Sequence, residues 1–172
     1  MLIDVAKTGI ENVIDLVNTT NSTAFIDSDI EIGTPQAWED PEGVNTRNTQ
    51  LTLTAKEGSG YSGTVDVRYH RVDLVDLPGA VELSYTLTGE DTVEGILGAV
   101  ANNLGVVVDD VELNIIEVPT VADGSTTTIE VSAVSDSLLY IGMASVTVFP
   151  NTTDLDEEVS GTDLDGFDTP ES

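Results

Sequence analysis

The hydrophobic pattern of the chain predicts two helices, each followed by strands. Near the N-terminus, apolar residues recur at spacings of three and four, which indicates an amphipathic helix ending between Asn18 and Asn21. The apolar positions of this helix are Ile3, Ala6, Ile10, Val13, Ile14 and Val17. A similar stripe further along the chain contains Val93, Ile96, Leu97, Val100 and Leu104. For this second helix we predict that Asp91 caps the start, with Glu94 at the third helical position, and that Gly105 ends it.

Alternating polar and apolar residues predict the strands. Residues 29–32 and 110–113 alternate directly after the two helices, and a proline follows soon after each. Longer alternations predict half-buried antiparallel hairpins with two apolar faces, formed by Leu51, Leu53 and Ala55 and by Val65, Val67 and Tyr69. Residues 81–88 also alternate, and they predict one further strand leading into the second helix.

The two halves of the chain present the same elements in the same order. Ala55-x-x-x-Ser59 followed by Gly63 corresponds to Ala133-x-x-x-Ser137 followed by Gly142, with one inserted residue. We interpret this as a tandem duplication with a period of about eighty residues. The alternative is that any two segments of this kind match by chance. The predicted fold class is α+β: two diverged helix-plus-antiparallel-sheet units at 1–80 and 81–150, followed by an acidic tail at 151–172.

Two further segments are predicted to be irregular, and the tail carries a distinctive pattern. Residues 38–47 contain proline, glycine and several acids and predict an exposed loop. Residues 57–63 predict a glycine-rich connection within a hairpin. The tail combines eight acids with four spaced apolar residues, so it could dock on a neighbouring subunit as an extended arm. Those apolar residues are Leu155, Val159, Leu164 and Phe167.

The charge balance narrows the range of partners. The 172 residues include 32 acids and five basic residues, giving a formal net charge of −27. Because phosphate backbones and anionic headgroups repel such a chain, we expect neither nucleic-acid nor membrane-surface binding. Cationic partners, divalent ions, solubility at high copy number and a high-salt environment stay open. The sequence has no cysteine, so it can form neither a disulfide framework nor a thiolate metal site. It shows no signal-peptide pattern and no long apolar span, so we expect synthesis in the cytoplasm.

Residues suited to catalysis are few. The single histidine, His70, is either a general base or a solvent-facing residue opposite Tyr69, and the absence of a Gly-x-Ser-x-Gly motif favours the second interpretation. Acids are so frequent that paired carboxylates cannot be singled out, which leaves a two-carboxylate hydrolase as a minor hypothesis. We therefore assign no catalytic, cofactor-binding or metal-binding residue and expect no enzyme activity.

Two observations bear on binding. Asp154-x-Asp156-x-Glu158 and Asp163-x-Asp165-Gly166-x-Asp168 could wrap a calcium ion, although neither matches a complete twelve-residue loop, and a solvated tail is the favoured interpretation. Trp38 and Tyr61 lie in predicted loops, where each either anchors a contact or folds back on the core.

Several motifs resemble a known family. They are the helix end Leu16-Val17-Asn18-Thr19-Thr20-Asn21-Ser22-Thr23, then Ile30-Glu31-Ile32-Gly33-Thr34-Pro35, Asn45-Thr46-Arg47-Asn48-Thr49, Gly58-Ser59-Gly60-Tyr61-Ser62-Gly63-Thr64-Val65 and Tyr69-His70-Arg71-Val72-Asp73-Leu74. Together they resemble virion structural proteins of large tailed bacteriophages, and the likeness covers most of residues 1–150. The motifs are helix ends and hairpin turns, so they specify architecture and no chemistry.

The resemblance implies a non-enzymatic virion component, either a capsid decoration protein or a tail-associated one. Such a protein is made in the host cytoplasm, is present in many copies and contacts other capsid or tail subunits. The alternative hypothesis is a cation-dependent adhesion or carbohydrate-binding module that uses the acidic loops.

Overall fold

The first helix, α1, spans Gly9–Asn21 in a computed structural model that describes residues 1–151. It starts later than the apolar spacing predicts, because Thr8 and Glu11 form a capping box in which each side chain accepts a hydrogen bond from the other's backbone N–H. The predicted inclusion of Ile3 and Ala6 was wrong, since both precede the cap. Helix α1 buries Val13, Ile14 and Val17.

The second helix, α2, spans Val93–Leu104. Its N-cap is Thr92, whose hydroxyl accepts a 3.0 Å hydrogen bond from the Gly95 N–H, so the predicted cap at Asp91 was wrong. Asp91 instead accepts hydrogen bonds from Thr88 and from the Tyr85 hydroxyl. Gly105 ends the helix in the left-handed conformation at φ +68°, which confirms the predicted C-terminus.

Two four-stranded sheets account for most of the strands. In the first, β3 (Thr49–Ala55) pairs antiparallel with β1 (Ile30–Ile32), β2 (Gln36–Ala37) and β4 (Thr64–Tyr69). The order in the second sheet is β6-β10-β8-β7, and its strands are β6 (Ser84–Thr86), β7 (Val111–Leu113), β8 (Thr127–Ala133) and β10 (Met143–Phe149). A short parallel ladder of β5 (Val72–Asp73) with β9 (Tyr140–Ile141) links the two halves of the chain.

The strand predicted for residues 81–88 forms only in part. Residues Ala80–Glu82 make a 3-10 turn, which leaves Val81 91% exposed, and the strand is limited to Ser84–Thr86. Strand β6 runs parallel to β10, with Val148 opposite Tyr85. This partner is more than sixty residues away, so local alternation does not reveal it.

Each sheet packs its apolar face against one of the helices. One hydrophobic cluster joins α1 to β3 and contains Leu51, Leu53, Tyr69 and Leu138. The larger cluster joins α2 to the second sheet and includes Ile96, Val131 and Val146. The described part of the chain is thus a mixed α+β fold with two helix-on-sheet cores.

The pairing of β1 with β3 has the same register as the pairing of β7 with β8. Ala55 faces Ile30 across the first ladder and Ala133 faces Val111 across the second. The backbone N–H of each alanine donates a 3.0 Å hydrogen bond to a turn glycine, Gly63 or Gly142. The sequence analysis aligns the same residues of the two halves, Ala55 with Ala133 and Gly63 with Gly142.

The irregular segments fall where the sequence places them, apart from the tail. Residues 38–48 form no helix or strand, and Asp40 organises them by accepting backbone hydrogen bonds from Glu42, Val44 and Asn45. These backbone donors lower the pKa of the Asp40 carboxyl, with Glu42 contributing most. Apart from Asn151, the predicted acidic tail lies outside the described residues.

Candidate interaction surface

An open groove of about 490 Å³ lies between α1 and the end of β4. Its helix side is formed by Val13, Leu16 and Thr20, and its strand side by Arg68 and His70. The remaining lining residues are Met1, Leu2, Ile3, Asn12, Asn45, Thr46, Arg47, Tyr69, Val72, Leu138 and Leu139. We call this feature the α1–β4 groove. It combines an apolar floor with polar and basic rims, which is the composition expected of a binding surface.

Positive charge is concentrated at this groove. Arg47, Arg68 and His70 line it, whereas the chain has only five lysines and arginines and none after Arg71. The ion pairs among the described residues join Lys7 to Asp15 and Lys56 to Asp27, so neither groove arginine is paired with a described carboxylate. Asp40 is close enough to Arg68 to contribute a favourable charge interaction, but it is not within ion-pair distance.

Arg68 is held in position by neutral partners. Its guanidinium carbon lies 4.7 Å from the centre of the Trp38 ring, and its Nε donates a 3.2 Å hydrogen bond to Gln50. Trp38 is half-buried and packs against this arginine, and it belongs to neither hydrophobic core cluster. Tyr61 remains 51% exposed and contacts the edge of the Phe25 ring with the ring centres 4.8 Å apart.

The last two residues of β4, Arg68 and Tyr69, line the groove, and the outer edge of β4 has no strand partner among residues 1–151. Because nothing covers it there, Val65 is 56% exposed, although the alternation predicts that it shares an apolar face with Tyr69. In the second sheet, β6 pairs with the corresponding edge of β10, and Ala144 and Val146 are buried. An unpaired strand edge is a template for an additional strand.

A buried polar network lies beside the groove. Arg71 is 9% exposed and donates to the Thr49 hydroxyl at 2.9 Å and to the Ser137 carbonyl at 2.8 Å. The Ser137 hydroxyl donates in turn to Asp110 at 2.8 Å. Burial lowers the pKa of the Arg71 guanidinium, and Tyr69 acts in the opposite direction.

Tyr69 closes this network on the groove side. Its hydroxyl donates a 2.8 Å hydrogen bond to the Leu138 carbonyl, and burial raises its pKa to about 12. Burial also raises the pKa of Tyr140, whose hydroxyl accepts from the Val107 N–H. The Tyr69 hydrogen bond joins the two halves of the chain, and among the described residues no buried side-chain nitrogen or oxygen lacks a hydrogen-bond partner.

The candidate catalytic histidine is a surface residue. His70 is exposed, as the alternation with buried Tyr69 predicts, and its Nδ1 is 3.3 Å from the Thr46 carbonyl oxygen. Residues 56–63 connect β3 to β4 as predicted, with left-handed glycines at Gly58, Gly60 and Gly63.

Among residues 1–151, no group of three or more histidines and acids is arranged to hold a metal ion. The predicted calcium spacings, at 154–158 and 163–168, lie outside the described residues. No helix in the described part of the chain is long and apolar enough to cross a membrane.

Sequence reasoning did not find the α1–β4 groove. One signal was available, because Arg47, Arg68, His70 and Arg71 cluster within 25 positions of an otherwise acidic chain. The other residues that line the groove come from distant segments of the chain, so the groove itself could not be predicted from the sequence.

The protein is thus a mixed α+β protein with an open groove that is lined by basic and apolar residues. The chain belongs to a family of unknown function, DUF7941, whose model matches residues 3–172. No curated protein and no solved structure matches it.

Proposed function

We propose that this protein is a non-enzymatic structural component of a tailed-phage virion, either a capsid decoration protein or a tail-associated one, that acts through contacts with neighbouring subunits. The observation that carries the proposal is the α1–β4 groove beside an unpaired strand edge. Another protein chain can be recognised by the strand edge, by the apolar lining residues and by arginines that have no carboxylate partner among the described residues.

The motifs that resemble virion proteins support this function because their side chains organise backbone. The Asn18 side chain accepts from the Phe25 N–H and donates to the Phe25 carbonyl, both at 2.8 Å, which fixes the turn after α1. Asn48 makes the same two-way contact with Arg71, also at 2.8 Å. Such residues build a scaffold for surface contacts.

We further propose that the fold consists of two tandem units, 1–80 and 81–150, that arose by duplication and are followed by the acidic tail. The shared register of Ile30 with Ala55 and of Val111 with Ala133 supports this. So does the matching hydrogen bond of the next residue, in which Lys56 donates to Asp29 and Val134 donates to Asp110. A duplicated scaffold offers two similar edges, of which one is paired and the other has no partner among the described residues.

The physical mechanism is passive stabilisation. A protein that binds only the assembled particle stabilises it by mass action, and the net charge of −27 keeps the free protein soluble at high copy number. Partners are other virion proteins in a multi-copy assembly, and neither nucleic acid nor membrane is required.

The test is the protein content of purified virions. Particles of the phage that encodes this chain are banded on a density gradient, and mass spectrometry compares them with the particle-free lysate. We expect the chain to be enriched in the particles together with the known capsid and tail proteins. A chain found only in the particle-free fraction would overturn the proposal.

A further inference from the structure

One difference between the two halves of the protein lies between the helix and the last strand of the sheet. In the second half this place is filled by β6, which pairs with β10 and packs on α2. In the first half the α1–β4 groove occupies the corresponding place, and β4 pairs only with β3 among the described residues. The shape that fits the groove is therefore an extended segment lying along β4.

The charge of the groove selects an acidic occupant. Arg47 and Arg68 face it without a carboxylate partner among the described residues, in a chain that is strongly acidic elsewhere. Arg47 donates to Asn45 and Arg68 donates to Gln50. Because their other N–H groups can form charge-assisted hydrogen bonds, a segment rich in carboxylates gains most from binding here. The apolar floor, which includes Leu16 and Leu139, adds a requirement for spaced apolar residues.

One segment of this protein has both properties. Residues 152–172 contain eight acids, no basic residue, and the apolar residues Leu155, Val159, Leu164 and Phe167. We propose that this C-terminal segment of one copy docks as an added strand in the α1–β4 groove of a second copy. The inference deepens the proposed function, on which it rests, by naming the contact between subunits.

The route of the chain fits docking between copies. The groove is lined by Leu138 and Leu139, just before β10 begins, whereas Asn151 follows the far end of β10 beside Gly89. The seven residues of β10 separate these two points by about 20 Å, at about 3.3 Å per residue. The tail therefore starts about 20 Å from the groove of its own copy. Its 21 residues span up to about 70 Å when extended, which is long enough to reach the groove of an adjoining copy as well as its own.

Engineered thiols test the proposal directly, because the full-length chain has no cysteine. One copy carries Thr46→Cys at the groove, and a second copy carries Thr153→Cys, Thr162→Cys or Ser172→Cys in the tail. The matched control carries Thr126→Cys, an exposed threonine of the second half. The copies are mixed under mild oxidation, and disulfide-linked heterodimers are measured over time.

We expect at least one tail position to link to the groove thiol roughly tenfold faster than to the control thiol. The charge reversal Arg47→Glu should slow this linkage by roughly five- to tenfold, as expected for loss of one exposed attraction and gain of one repulsion. Lys56→Glu, which changes the same charge outside the groove, should leave the rate unchanged. Raising the salt concentration should also slow the linkage.

Two results would overturn the proposal. Equal linkage of every tail position to the groove and control thiols would mean that the tail does not select the groove. A full-length chain carrying Thr46→Cys and Thr162→Cys that closes only on itself would assign the groove to its own tail. Failure here is distinct from failure of the proposed function, since a chain enriched in virions without this linkage retains its structural role and loses only the docking contact.

Discussion

The guanidinium of Arg71 donates a 2.8 Å hydrogen bond to the backbone carbonyl of Ser137, which lies 66 positions away in the sequence. Nearby, the parallel pair of β5 with β9 aligns Val72 with Tyr140. A buried cation therefore ties the sheet that follows α1 to the sheet that follows α2. These contacts make the two helix-on-sheet cores one structural unit.

We predict that Arg71→Ala lowers the free energy of unfolding by about 2–3 kcal/mol. The substitution leaves the Ser137 carbonyl and the Thr49 hydroxyl buried without their charged donor. Urea denaturation followed by circular dichroism measures the change. Arg47→Ala, an exposed arginine, is the control and should change stability by less than about 0.5 kcal/mol. Equal effects of the two substitutions would contradict the structural role of Arg71.

The two corresponding serines should differ in importance. Ser137 is 1% exposed and bonds Asp110, whereas the Ser59 hydroxyl donates only to the nearby Lys56 carbonyl in a half-buried turn. Ser137→Ala should cost about 1–3 kcal/mol because it leaves a buried carboxylate oxygen short of a donor. Ser59→Ala should cost less than about 1 kcal/mol by the same denaturation assay. A larger loss for Ser59→Ala would contradict this prediction.

The corresponding turn glycines provide a second matched pair. Both have positive φ, +90° at Gly63 and +74° at Gly142, so alanine at either costs about 1–2 kcal/mol in backbone strain. At Gly142 the added methyl would also overlap the Asp73 carboxylate, whereas at Gly63 it would meet open space. We expect Gly142→Ala to lower the melting temperature clearly more than Gly63→Ala. Equal shifts in the two thermal unfolding curves would count against the described packing of β5 on this turn.

Tyr69 should make stability depend on alkaline pH. Its pKa is raised from about 10 to about 12 in the folded state, so the stabilisation is complete below pH 10 and is lost as the pH rises through 12. The full contribution is roughly 2–3 kcal/mol, from two pKa units. Denaturation at pH 9 and pH 12 should show a smaller loss in Tyr69→Phe than in the unmodified protein. A loss of the same size in both would show that Tyr69 does not titrate with unfolding.

The free edge of β4 should tolerate change that the core of the second sheet does not. Val146→Ala removes two methyl groups from a fully buried position and should cost about 2 kcal/mol. Val65→Ala, on the exposed edge strand, should cost less than about 0.5 kcal/mol in the isolated protein. A large loss for Val65→Ala in free copies would mean that the edge is covered there.

Sequence patterns predicted the local elements better than the long-range contacts. The strand alternation placed Leu51 and Leu53 on a buried face, and Gly105 ended α2 as expected, because both depend on near neighbours. The apolar spacing extends to the N-terminal side of the true start of α1. The Thr8 and Glu11 capping box, which is present in the sequence, marks that start.

The parallel pairs of β5 with β9 and of β6 with β10 were not readable, since each joins strands more than sixty residues apart. The α1–β4 groove could not be predicted for the same reason. Its lining comes from the N-terminus, α1, a loop, the end of β4 and residues near Leu138, which no short motif brings together.

The proposed function is tested most directly by a cryo-electron microscopy map of the virion in which we propose that this protein resides. We predict density for many copies of the fold, with the α1–β4 groove and the β4 edge buried against another subunit. A virion without this fold, or one in which the groove and the edge face solvent in every copy, would contradict a structural role that acts through subunit contacts.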